Sequence, residues 1–237
     1  MGQFLFYFFK KGVKKMGYVE ILESVDKKII VEEKGLKITE DALLLSNFLR
    51  KYFSKKNKDL KNKKSVILEI GAGQGIMSLL ISEIDVLEKI IAVEVQKDVY
   101  EILEKNIEIN NLNKKIIPLN KNIKNINGKY DFIFSNPPYK KINSGKLSKN
   151  KSECISKYEI LLTLEELFKE IRRLLNNHGE FFVIVPNSRL NDVFKYIYEN
   201  NMNILSIEIN RYKKMDLVIV NGKKGGKIKS EIKIDFF

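Results

Sequence analysis

The 237-residue chain is 44% hydrophobic and 31% charged, which suits one α/β domain and excludes a disordered segment. Its net charge of +13 suits a polyanionic partner, although abundant Lys, Asn and Ile also fit an AT-rich coding bias. Cys154 and His178 are the sole cysteine and histidine, so an intrachain disulfide is excluded, and neither a metal site nor a Ser-His-Asp triad is expected.

The first apolar run, Phe4-Leu5-Phe6-Tyr7-Phe8-Phe9, is short beside the roughly 20 residues that span a bilayer. It also lacks the basic start of a secretory leader. No membrane association is expected, and the lone cysteine points to a reducing cytoplasm. Residues 1–17 read as an apolar, basic extension that fits a mis-called start. Residues 18–237 read as a single domain, with a preface over 18–64 and a core over 65–237. In the preface, 29–31 and 36–38 pair as a hairpin, and 41–53 form a helix with Thr39 or Asp41 at its start. Residues 55–64 are a lysine-rich linker.

The core alternates strand and helix. Ser65–Ile70 is a first buried strand, 75–83 a helix and 89–95 a second strand. A helix at 98–110 keeps Val99, Ile102, Leu103 and Ile107 on one face. Ile116–Leu119 and Tyr130–Ser135 are the third and fourth strands, followed by a polar loop over 140–157. Then come a helix at 159–175, a cap and turn at His178-Gly179, a strand at 180–185 and a helix at 188–199. Strands at 204–209 and 217–220 close the chain, with Asn221-Gly222 opening a tight turn. This alternation predicts an α/β fold with a seven-stranded, mostly parallel sheet flanked by helices, one of the last two strands being antiparallel.

Two motifs carry chemistry. Glu69-Ile70-Gly71-Ala72-Gly73-Gln74-Gly75 lies at a strand-to-helix junction, where a parallel sheet presents its ligand site. Evenly spaced glycines behind an acid do not match the dinucleotide fingerprint, and Glu69 would repel a pyrophosphate. They suit the aminoacyl end of S-adenosylmethionine (SAM). Glu94, ending the second strand, suits the ribose hydroxyls of an adenosine, and Asn122, after the third strand, is a candidate for its adenine. The other motif is Asn136-Pro137-Pro138-Tyr139, directly after the fourth strand. Two prolines stiffen the corner that aims Asn136, and Tyr139 offers a ring to a planar base. Hydrogen bonds from an amino group to the Asn136 side-chain oxygen and the Pro137 carbonyl would favour a pyramidal nitrogen with its lone pair free. Together the motifs predict methyl transfer from SAM to nitrogen without a metal.

The chain resembles the bacterial tRNA1(Val) (adenine-N6)-methyltransferases, which modify the adenine beside the anticodon of a valine tRNA. The resemblance is carried by residues 35–45, the glycine loop, Glu94-Val95-Gln96, residues 106–110, Asn136-Pro137-Pro138-Tyr139 and Tyr158-Glu159-Ile160, and it runs from about Tyr18 onward. It implies a Rossmann-like class I SAM-dependent fold and a tRNA partner; the sequence itself does not reveal the oligomeric state, and a monomer is the expectation. By resemblance, Glu69, Gly71, Gly73, Gly75, Glu94 and Asn136 bind SAM; Thr39, Ala72 and Asn122 complete the candidate cofactor contacts, and Asn136, Pro137 and Tyr139 the catalytic set. The family often has Asp where Glu69 and Asn122 stand here. Its tetrapeptide is shared with rRNA, DNA and protein-glutamine methyltransferases. A protein-glutamine N5-methyltransferase, an rRNA or DNA amino-methyltransferase and a catalytically silent RNA-binding module are therefore the competing expectations.

Overall fold

Short apolar runs bounded by glycine or polar residues become the inner strands of the computed structural model, which describes residues 4–10, 13–22, 24–32, 38–56, 64–139, 161–212, 215–226 and 231–237. In chain order the main elements are β1 (Phe4–Lys10), β2 (Val13–Leu22), β3 (Lys27–Glu32), α1 (Glu40–Lys56), β4 (Ser65–Ile70), α2 (Ile76–Ile81), β5 (Leu87–Val93) and α3 (Lys97–Ile109). There follow β6 (Ile116–Leu119), β7 (Tyr130–Ser135), α4 (Leu164–Leu174), β8 (Leu175–Pro186), α5 (Leu190–Glu199), β9 (Met202–Tyr212), β10 (Met215–Lys224) and β11 (Lys233–Phe236).

Among the described residues, the main sheet has eight strands in the order β11-β9-β10-β8-β7-β4-β5-β6. Only β10 runs against its neighbours. The sequence-based expectation of one antiparallel strand near the end therefore holds, and β11 is a strand beyond the expected seven. Strands buried on both faces read as nearly continuous apolar runs, as in Ser65-Val66-Ile67-Leu68-Glu69-Ile70. One core layer joins Leu45, Leu49 and Phe53 of α1 to Phe132, Phe134 and Phe182, with the Phe53 and Phe132 rings edge to face at 4.9 Å. The opposite layer packs Phe168 and Ile171 of α4 and Val193 of α5 against Leu68, Phe181 and Val183.

Three sequence readings change in detail. First, β3 pairs with β2, and β2 with β1, forming a three-stranded antiparallel sheet; the second arm of the expected hairpin begins at Leu36, outside the described residues. Second, α4 starts at Leu164 because Thr163 and Glu166 form a reciprocal cap: the Glu166 N–H donates to Thr163 Oγ1 (3.2 Å) and the Thr163 N–H to Glu166 Oε2 (3.0 Å). The earlier part of the expected helix includes Glu159 and Ile160, outside the described residues. The helix gives way to β8 at Leu175, so His178-Gly179 is not its cap. β7 advances from Tyr130 to Phe132 while β8 advances from Leu175 to Glu180, and His178 takes a left-handed φ of 62° within that bulge.

Third, Asn221-Gly222 lies inside β10, at a bulge against β9, rather than in a turn. The glycine is needed for close approach: a Cβ there would stand 2.3 Å from Phe181 Cζ and 2.7 Å from the Asn203 carbonyl. Both neighbours are packed, and one is backbone. Gly222→Ala is expected to destabilise the fold by roughly 1–3 kcal/mol or more; denaturant unfolding checks this, and unchanged stability would contradict that tight contact.

Candidate active site

The parallel register brings the two motifs together. Ile70 of β4 pairs with Ser135 of β7 and with Val93 of β5, and Val93 pairs in turn with Leu119 of β6. Gly71, Asn136, Glu94 and Asn120 therefore leave four adjacent strands at one level, strands lying about 4.8 Å apart. The chain reverses its winding direction between β4 and β7, the place where open α/β sheets bind ligands. Ser135 Oγ donates to the Ile70 carbonyl (2.9 Å), tying the last residues of these strands together.

Gly71, Gly73 and Gly75 all have positive φ, at 75°, 57° and 87°. The Gly71 and Ala72 N–H groups both donate to the Val93 carbonyl, at 3.0 and 2.9 Å. A Cβ on Gly75 would lie 2.5 Å from Leu103 Cδ1, whereas one on Gly71 would meet nothing within 4 Å. The loop is thus packed beneath and open above.

Two acids stand beside it. Glu94 is buried; Oε2 accepts from the Gly73 N–H (2.9 Å) and Oε1 from the Gln96 N–H (2.8 Å). Burial raises its pKa, and those backbone donors oppose the rise. Glu69 is fully buried and accepts from Ser78 Oγ. Burial, with the Glu94 charge adding, pushes its carboxyl up to about 8 against the Ser78 hydrogen bond. Glu69 Oε1 and Gln74 Oε1 are buried and have no hydrogen-bond partner among the described residues. Orphaned acceptors flanking an open glycine turn fit a ligand that brings cationic N–H donors, such as the SAM ammonium.

Asn136 is half-buried, Pro137 buried, and Pro138 and Tyr139 half-buried. Arg189, just after β8, donates from Nη1 to the Tyr139 carbonyl and from Nε to Asp192 Oδ2 (2.9 Å). Tyr139 also lies near Asp41 at the start of α1; burial first, then the Asp41 charge, raise its hydroxyl pKa. Thr39 is exposed just before that helix, its carbonyl accepting from the Leu43 N–H (3.2 Å). Asn122 stands two residues beyond the row; its Oδ1 accepts from the Lys124 N–H (3.0 Å), capping a 3-10 turn. Asn120 is tied to the acid strand instead, donating to the Glu94 carbonyl at 2.8 Å.

Sequence reasoning missed Gln74, Ser78, Asn106, Asn120 and Arg189 as parts of this site. The buried Asn106 donates to the Gln74 carbonyl (2.9 Å) and accepts from the Ile30 N–H (2.7 Å), joining the glycine loop to β3. Only the resemblance over 106–110 hinted at it.

The methyltransferase small domain family model matches residues 43–204, more than half of the chain. This chain belongs to that family. Its fold is the class I SAM-dependent one, which with the family implies SAM use. It is 30% identical over 122 residues to a tRNA1(Val) (adenine(37)-N6)-methyltransferase of Dyadobacter fermentans, covering 51% of this chain and 50% of the relative. It is also 30% identical over 181 residues to a release factor glutamine methyltransferase of Fusobacterium nucleatum, covering 66% of this chain and 47% of the relative. The match thus spans about half the length of these curated relatives. Among solved structures, a methyltransferase from Pyrococcus furiosus is similar with a TM-score of 0.58 and 25% identity, covering 86% of this chain and 91% of that one. Among the described residues, no helix of the chain is long and apolar enough to cross a membrane.

Proposed function

We propose that this methyltransferase transfers a methyl group from SAM to the N6 amino group of an adenine in tRNA, in the cytoplasm. The observation that carries the reading is the pairing of Ile70 with Ser135, from which the glycine loop and the Asn136 corner leave neighbouring strands side by side. SAM supplies an electrophilic methyl on a sulfonium, so the chain needs to place a nucleophile and needs no metal. Glu69, the glycine loop with Ala72, and Gln74 hold the aminoacyl end, and Glu94 accepts from the ribose. Thr39 and Asn122 are the further proposed cofactor contacts, and Asn122 Oδ1, with one lone pair spent on the Lys124 N–H, keeps another for the adenine amino group.

Adenine N6 is a weak nucleophile because its lone pair is delocalised into the ring. The Asn136 Oδ1 and the Pro137 carbonyl would accept its two N–H groups and localise that lone pair. Arg189 holds this corner by its grip on the Tyr139 carbonyl. Tyr139 keeps its hydroxyl protonated and offers its face to a base drawn out of its stack. The lysines of 140–157 and 223–229 are proposed to meet the tRNA backbone.

A glutamine N5-methyltransferase is the second reading, favoured by the Fusobacterium relative. The test is incubation with labelled SAM and either unmodified total tRNA or a release factor. Label recovered as N6-methyladenosine supports the first reading. Label found only in protein-bound glutamine sinks it.

A further inference from the structure

The main sheet outruns its helical cover by one strand. On the face that carries α4 and α5, Ile207 of β9 is buried, and β11 continues that face. Ile234 lies beside Ile207, and Phe236 beside Ile209. Alternate side chains of a strand share a face, so Ile232 joins them. These three apolar residues are nevertheless 43%, 50% and 75% exposed for Ile232, Ile234 and Phe236. Among the described residues, no strand pairs with the outer edge of β11.

The backbone of that edge is presented as well. The Phe237 N–H donates to the Ile209 carbonyl (2.9 Å), and the Phe237 carbonyl accepts from the Arg211 N–H (3.1 Å). Alternation then turns Lys233 and Asp235 toward β9 and the peptide groups of Ile232, Ile234 and Phe236 outward. An apolar edge with available backbone groups is a template for another strand.

We propose that this edge pairs antiparallel with the β11 edge of a second copy of the chain, about a two-fold axis at Ile234. Charge selects the register. A two-fold axis at Ile234 sets Lys233 opposite the partner's Asp235, Ile232 opposite the partner's Phe236, and Ile234 against its own copy. The three facing apolar pairs are also the hydrogen-bonded ones, because their peptide groups are those that point outward. Centring the axis one residue earlier would oppose Lys233 to Lys233, and one residue later Asp235 to Asp235. Lys233 and Asp235 lie 2.7 Å apart within one chain, so the pairing extends this ion pair into an alternating row across the dimer. Each chain carries a net charge of +13, so the copies repel at long range and the dimer tightens as salt rises.

Sedimentation equilibrium of the full chain over a wide concentration range tests this. A monomer–dimer equilibrium is expected. Lys233→Asp and Asp235→Lys should each weaken it by about tenfold or more, since each turns facing opposite charges into like ones. The combined variant should restore it, and its restored dimer shows that the substituted edge still folds. Ile234→Lys should also weaken the dimer. A monomer at every concentration, a dimer indifferent to these changes, or a combined variant that stays weak would each overturn the proposal.

Discussion

Asn136→Ala is expected to cut methyl transfer by about 10²–10³-fold while the chain stays folded, because a polar group preplaced at the reacting nitrogen is worth that much. SAM affinity should move by no more than about tenfold, a hydrogen bond contributing about 0.5–1.5 kcal/mol net. The split follows from position. Asn136 stands at the mouth of β7 and is half-buried, whereas the glycine loop is held independently by Val93 and Glu94. Asn136→Asp keeps a side-chain acceptor and should retain more transfer than the alanine variant. Single-turnover transfer to tRNA and calorimetric SAM binding measure the two halves. Normal turnover in the alanine variant would refute the proposed role of this carboxamide.

Glu69→Gln should remove a pH dependence of stability. The folded chain keeps the Glu69 proton until about pH 8, whereas an exposed glutamate loses it near 4.5. Its contribution to stability is therefore fully present below pH 4.5 and is lost as pH rises through 8, on the order of a few kcal/mol across that window. Glutamine preserves the neutral shape and cannot ionise. The variant should thus gain on the parent steadily from pH 5 to pH 8 in denaturant unfolding; parallel curves would refute the assignment. A cation beside Glu69 favours its charged form, so SAM binding near neutral pH should release a proton from the parent. The heat of binding would then vary with the ionisation heat of the buffer, and in the glutamine variant it would not.

Much of the core was legible because it obeys local rules. Ile116–Leu119 and Tyr130–Ser135 are found at the bounds expected from their apolar runs, and the Gly71 and Asn136 loops fall where those runs stop. Legibility fails where a distant partner decides. Asn221-Gly222 has the composition of a turn, but Phe181 and Asn203 close over the glycine and keep it in a strand. His178-Gly179 has the composition of a helix cap, but the Thr163 box and the β7 register set the helix and strand limits instead. β11 alternates apolar and charged residues, a strand pattern that sequence reasoning missed because the run is only four residues long. Arg189 reaches Tyr139 across fifty positions of sequence, a contact no spacing rule foretells.

The Asn106 and Asn110 side chains act as a clasp. Asn110 accepts from the Lys28 N–H (2.8 Å) and donates to the Lys28 carbonyl (2.6 Å), copying what a neighbouring strand would offer, while Asn106 holds Ile30 and Gln74 at once. The small sheet at the front of the chain is thereby fastened to the turn that would grip the methyl donor. Trimming β3 away would strip a buried carboxamide of its acceptor role and slacken the glycine turn, so this appendage braces the proposed donor site rather than hanging as a dispensable tail.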